Sequence, residues 1–320
     1  LPSVFDPEEA LKENAPLIHE DSPGNIAGEI HKEFGDVAAG FAASDQVFES
    51  TYRTNAVAHC CLETRGALAI VDTHGRLTIW SSTQIPHVLR EILSMTLNLP
   101  VGKIRVRKEY VGGGFGSRQS SDPNDIICAL LAKKTKRPVR LIKSRFEEFT
   151  TDRARYPMIM TLKTGMSVDG HIRARQVNIL TDAGAYHDQG IMITSHALGR
   201  ISNCYRVPCA KLDAKVVFTN KVYGGAFRGY GNPQITFAIE SQMDEIAEQL
   251  NIDPLDLRLK NACHEGDLTV SGARITSCGL TESLTRGASA ANWKNKGLRK
   301  QKRGIGMACF VHSGGGSAGA

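Results

Sequence analysis

Two glycine-rich stretches dominate this chain. VGGGFGSRQ (111–119) follows the strand-like run KIRVRKEY, and VYGGAFRGYGNPQ (222–234) follows KLDAKVVFT. Consecutive glycines at Gly112, Gly113 and Gly114 adopt positive φ freely, and they strip a patch of backbone of every Cβ, so another group can lie against the peptide planes. Each stretch leaves a strand, bends, and enters a helix, whose first N–H groups and dipole favour an anion. The pattern points to a cofactor surface built from backbone, with a structural turn or bulge as the alternative. Known phosphate fingerprints do not fit. G-x-G-x-x-G would need glycine where Ser117 stands, and no Gly-Lys-Ser/Thr follows.

The rest of the chain supplies strands and helices around these stretches. Alternating apolar patterns in QVFESTYRT, ALAIVD and RLTIW read as strands, after a short helix over 36–43. A helix is expected from Pro86 to Leu97, with Val88, Leu89, Ile92, Leu93 and Met95 on its apolar face. A second should start at Asp122, with Pro123 in its first turn and Ile126, Ile127, Ala129, Leu130 and Leu131 turned inward. The order strand, loop, helix, strand (PVRLIKS) is an α/β signature. MIMTLKTGM and HIRARQVNILTDA, joined by SVDG, form a hairpin pattern. A long helix runs from Pro233 to Leu250, and another follows Asp253 as its cap.

Composition narrows the function classes. The 320 residues carry 39 basic and 33 acidic side chains, a net charge of +6, too mild for a nucleic-acid binder; the basic run 294–303 reads as a solvated face. No segment approaches the roughly 18 consecutive apolar residues of a membrane span, and no signal peptide is evident, so the chain reads as soluble and cytoplasmic. The eight cysteines form no C-x-x-C pair and read as reduced thiols rather than metal ligands. Leu1 and the glycine-rich end both suggest cuts through a larger design.

VGGGFGSR, GGAFRGYGNPQ, STQ (82–84) and HCCLE (59–63), in that order, resemble the molybdenum-binding large subunit of the xanthine oxidase and aldehyde oxidase family. IHEDSPGNI and LPVGKIRV are most similar to 4-hydroxybenzoyl-CoA reductase and to nicotinate-type dehydrogenases. The resemblance implies an α+β fold of mixed sheets with packed helices, lacking the small N-terminal domain and the C-terminal part. Its regions would be an N-terminal segment (1–35), a first cofactor-binding region with GGGFG (36–155), a second with GGAFRGYG (156–300), and the start of a missing domain (301–320). It also implies molybdenum held by a molybdopterin, in the cytosine dinucleotide form, with this chain supplying no metal ligand. Gln84, Gly114, Phe115, Gly116, Ala226, Phe227 and Arg228 would contact that cofactor, Arg228 through its rigid guanidinium fork. The reaction implied is hydroxylation of an electron-poor carbon of an aromatic N-heterocycle or aldehyde, with water as oxygen source. Reductive dehydroxylation of an aromatic CoA thioester is the runner-up, and a non-catalytic cofactor-binding subunit the alternative from another class.

Gln119, His196 and Tyr230 would face the substrate. Purine-oxidising relatives carry glutamate, arginine and phenylalanine at these places, so a charged purine clamp is replaced by neutral or weakly basic groups. The family's general-base glutamate would lie beyond this chain, leaving its catalytic residue unassigned. A second molybdopterin-binding chain or C-terminal part, an iron-sulfur subunit and an FAD subunit would complete the enzyme. His59 and Glu63 read either as channel-lining or as core residues, and His187 with Asp188 either as an acid/base pair or as a loop pair. One rival motif, G-x-S-x-G around Ser317, would need a helix after it, and only Ala320 remains.

Overall fold

The computed structural model describes residues 2–202, 204–298 and 303–312. The G-x-S-x-G motif and residues 299–302 of the basic run therefore lie outside the described residues. In chain order the first elements are α1 (Pro7–Ala10), β1 (Ile26–Phe34), α2 (Val37–Ala42), β2 (Gln46–Arg53), β3 (Gly66–Val71), β4 (Leu77–Ser81), α3 (Pro86–Leu97) and β5 (Ile104–Arg107). Next come α4 (Pro123–Thr135), β6 (Val139–Ile142), α5 (Arg145–Thr151), β7 (Ala154–Arg155), β8 (Met158–Met166), β9 (Ile172–Gly184) and α6 (Gly190–Leu198). β10 (Cys209–Phe218), β11 (Gly224–Gly225), α7 (Asn232–Gln249), α8 (Pro254–Asn261) and α9 (Leu280–Ala290) follow.

Two sheets carry two cores. The larger runs β1-β10-β9-β8-β2, with β9 and β10 parallel and the remaining pairs antiparallel. A parallel pair needs a crossover, and α6 supplies it. Val177, Ile179, Met160 and Leu162 of this sheet pack against Ile193 and Ala197 of α6 and Ile235, Ile239 and Met243 of α7. The smaller sheet, β5-β4-β3-β6, packs Ala67, Ala69, Leu77 and Ile79 against α3 and α4. A two-stranded pairing of β7 with β11, parallel, ties the second glycine stretch to the chain that leaves the first region.

Local chemistry accounts for most boundaries. Asp122 caps α4 in a full capping box with Asp125, and Asp253 accepts from Leu255 N at the start of α8. Three expectations need correcting. α4 buries Asp125, Cys128, Ala129 and Ala132, while Ile127, Leu130 and Leu131 face out at 45%, 38% and 42% exposure. α3 buries Leu89, Leu93 and Leu97 and leaves Val88 and Met95 exposed. In both helices the apolar residues outnumber one face, and the sheet takes the narrower stripe. The strand before the first glycine stretch is also shorter than its pattern, because Val101–Lys103 forms a 3-10 turn and pairing ends at Arg107.

Candidate functional site

The two glycine stretches meet. Arg228 N–H donates to the carbonyl of Phe115 at 2.8 Å, joining the loops at their centres. Gly116 sits at φ +110°, and a Cβ there would stand 2.5 Å from Ala226 O, closer than real Cβ atoms come. Gly114 is bare for a related reason: a Cβ would meet Gln84 Oε1 at 2.6 Å. In this structure the missing side chains thus admit Gln84 and the second loop.

Gln84 governs the first loop. Its Oε1 accepts Gly116 N–H at 3.1 Å and Arg118 N–H at 3.3 Å, and its own N–H donates to Arg118 O at 2.9 Å. The carbonyl end is committed, and among the described residues the Nε2 end has no acceptor. The backbone N–H groups of Gly113, Gly114 and Phe115 likewise have none, nor does the exposed Arg228 guanidinium a carboxylate. Phe115, at φ 53° and 47% exposed, stands at the lip of this surface. Free donors on two joined loops, with a cation on one of them, suit an anionic, acceptor-rich group such as a pterin with its phosphate.

Charge under the loops is buried and paired. Arg118, fully buried, donates to Glu63 Oε2 at 2.5 Å and to Glu63 O at 2.6 Å, while Glu63 accepts Gly112 N–H at 2.7 Å. Arg65 bonds Asp122 at 2.8 Å and the carbonyl of Ser117, and Lys143 lies 3.1 Å from the same carboxylate. Burial alone would raise the Asp122 carboxyl, but these two cations outweigh it and hold it below the usual range. The anion at the α4 N-terminus is thus Asp122 itself, which corrects the expectation of a helix end open to a ligand.

His59 and Glu63 take structural roles. His59 Nε2 bonds Ala226 O at 2.7 Å, its ring lies 4.1 Å from that of Phe227, and burial lowers its pKa. Arg155 covers Phe227 at 4.2 Å and donates to Arg228 O at 2.8 Å, fixing the second loop from the other region. His187 offers its backbone carbonyl to Tyr156 OH at 2.6 Å, and Asp188 accepts from Ser120 Oγ at 3.0 Å.

Tyr230 and His196 come together, their rings at 5.1 Å and nearly perpendicular. Tyr230, at φ 49°, donates to Gln189 Oε1 at 2.9 Å, and burial raises its pKa. His196 Nδ1 bonds Met192 O at 2.9 Å. Gln119 is exposed one residue before Ser120, which Gln189 Nε2 contacts at 3.3 Å. Sequence reasoning missed Arg118, Arg155 and Gln189 as site-shaping residues. Among the described residues no group of three or more His, Cys, Asp or Glu side chains could hold a metal ion, and no helix is long and apolar enough to cross a membrane.

Residues 18–262 match the family model described as molybdopterin cofactor-binding domain. The chain belongs to that family. It is 35% identical over 320 residues to a xanthine dehydrogenase molybdenum-binding subunit of Escherichia coli, covering 98% of this chain and 42% of that protein. It is 39% identical over 292 residues to the nicotinate dehydrogenase large molybdopterin subunit of Eubacterium barkeri, covering 91% of this chain and 68% of that one. The fold superposes on the aldehyde oxidoreductase of Desulfovibrio gigas with a TM-score of 0.88 at 29% identity, over 94% of this chain and 33% of that chain. Quinoline 2-oxidoreductase of Pseudomonas putida gives 0.86 at 28% identity, over 92% and 38%. The mixed α/β architecture is thus that of the molybdenum-binding domain of such enzymes, and the chain spans about 40% of the length of most of these relatives.

Proposed function

We propose that this chain is the cofactor-binding portion of a multi-subunit molybdenum hydroxylase that oxidises an aromatic N-heterocycle or an aldehyde with water as oxygen donor. The observation that carries the proposal is the junction of the two glycine loops, beside which the N–H groups of Gly113, Gly114 and Phe115, Gln84 Nε2 and the Arg228 guanidinium are left unspent among the described residues. The named activities of the relatives, on xanthine, nicotinate, quinoline and aldehydes, support the reaction class. When bound, a molybdenum-pterin cofactor supplies oxygen transfer and accepts two electrons.

The chain's own residues would bind and orient. Gln84, Gly114, Phe115 and Gly116 would hold one edge of the pterin, and Ala226, Phe227 and Arg228 the other. Gln119, His196 and Tyr230 would line the substrate side. The metal would come with the cofactor's own sulfurs, and a cytosine dinucleotide form is the proposed pterin. An iron-sulfur subunit and an FAD subunit would carry electrons away, and a second molybdopterin-binding chain or C-terminal part would bring the general base. The eight cysteines, all among the described residues, form no disulfide, which supports a cytoplasmic setting. The test is metal and pterin analysis of the purified complex, followed by dye-coupled assays on heterocycles and aldehydes. Molybdenum with a released pterin is the expected result; stoichiometric zinc without molybdenum would overturn it.

A further inference from the structure

The polar groups beside Tyr230 form a chain with only one consistent direction. It starts at the Asp188 carboxylate, which can only accept. Ser120 Oγ lies 3.0 Å from Asp188 Oδ2 and 3.2 Å from Oδ1, so the serine proton is spent there. Arg153 Nε, 3.3 Å from the same Oδ2, keeps the carboxylate in a cationic setting. With its proton spent, Ser120 can offer only lone pairs to Gln189, so the Gln189 atom 3.3 Å away has to be the amide nitrogen. That assignment turns Gln189 Oε1 toward Tyr230, and an oxygen acceptor at 2.9 Å takes the phenol proton. Met192 Sδ, 3.3 Å from the same hydroxyl, is an acceptor too and cannot reverse the direction.

His196 obeys the same logic. Its Nδ1 faces the Met192 carbonyl, so the proton of the neutral ring sits on Nδ1 and Nε2 keeps a lone pair. Both rings are half-buried, so each retains accessible surface.

We infer that Tyr230 and His196 present hydrogen-bond acceptors to the substrate, selecting a heterocycle that carries a ring N–H, of the lactam type, over rings that offer only acceptors. This rests on the proposed hydroxylase reading, in which Tyr230 and His196 face the substrate. Gln189 is the positioning residue: it holds the phenol proton away from the ligand. A ring without N–H would leave these acceptors facing its lone pairs, and mismatched buried polar groups are what give a site strong selectivity.

The test compares dissociation constants of a pyrimidinone and the corresponding methoxypyrimidine, which lacks the ring N–H, for the assembled enzyme at pH 8. The pyrimidinone should bind about tenfold tighter or more. Tyr230→Phe should reduce that ratio severalfold, by weakening the pyrimidinone and relieving the lone-pair mismatch with the methoxypyrimidine. Gln189→Leu, which frees the phenol proton to turn to the ligand, should lower the ratio by tightening the methoxypyrimidine. Molybdenum content should be equal in all three proteins. A wild-type ratio near one, or a ratio that survives both substitutions, overturns the inference even if the enzyme holds molybdenum and oxidises a heterocycle. An enzyme without molybdenum refutes the parent reading instead, while the binding ratio still reads the acceptor assignment.

Discussion

The backbone of Arg228 and the backbone of Phe115, 113 residues apart in sequence, are joined by one 2.8 Å hydrogen bond. It fixes the spacing of two loops that belong to different parts of the fold, and the Gly116 contact with Ala226 O shows how little slack remains. Whatever these loops hold, they hold together.

Gly116→Ala should therefore separate them. The new methyl would meet a backbone carbonyl that cannot swing aside, at a φ of +110° that alanine avoids. Overpacking and strain together should cost about 2–4 kcal/mol. Thermal unfolding of the assembled enzyme should show the loss, and its molybdenum content should fall in parallel. Full metal content at wild-type stability would mean that the loops close independently.

Gln84 allows pinning and ligand contact to be told apart. Gln84→Ala removes the acceptor of two loop N–H groups and should lower both stability, by about 1–3 kcal/mol, and cofactor content. Gln84→Glu keeps an acceptor for both N–H groups but deletes the Nε2 donor and adds negative charge. It should leave stability nearly unchanged while reducing molybdenum content. Equal metal content in wild type and Gln84→Glu would remove the Nε2 amide from the cofactor contact.

How much of this could be read from the sequence depended on whether a signal was local. Caps at Asp122 and Asp253 fix their helices with neighbours two or three residues away, and the SVDG hairpin is equally local. β1 went unread because IAGEIHKEF, an edge strand with no fully buried residue, shows no apolar alternation. α6 escaped notice because GIMITSHAL is short and apolar on most sides. The loops drew attention through their glycines, yet what those glycines admit is Gln84 and Ala226, partners set by the tertiary fold. The Gln189 network spans 69 residues to Ser120 and 41 to Tyr230, separations at which no pattern in one sequence speaks.

The pair of Arg118 and Glu63 supplies a third expectation. Arg118 is fully buried, and Glu63 gives it both a carboxylate oxygen and a backbone carbonyl. Glu63→Gln keeps the shape but removes the counter-charge from a cation that cannot discharge. Because the Glu63 side chain is 38% exposed, water screens part of the interaction, and the cost should be about 1.5–3 kcal/mol. Denaturant titration measures it. The Gly112 N–H, which also leans on this carboxylate, should show faster hydrogen exchange in the variant. An unchanged unfolding midpoint would show that Arg118 is stabilised by its carbonyl partner alone.

His59 makes stability depend on pH, with a sign set by its burial. Burial disfavours the imidazolium and outweighs the hydrogen bonds to the Ala226 and Arg153 backbones, so the folded pKa lies below the ordinary 6.5. Below 6.5 the unfolded chain therefore binds a proton that the folded chain resists. The His59 contribution is fully present above 6.5 and is lost as pH falls from there towards the folded value, with a slope of at most about 1.4 kcal/mol per pH unit. Imidazolium formation would also disturb the contact that seats Phe227. His59→Gln keeps a donor for Ala226 O but cannot titrate, so its stability should fall less steeply than wild type between pH 7 and pH 5. Urea unfolding at a series of pH values gives both curves; parallel curves would show that His59 takes no part in the acid sensitivity of the site.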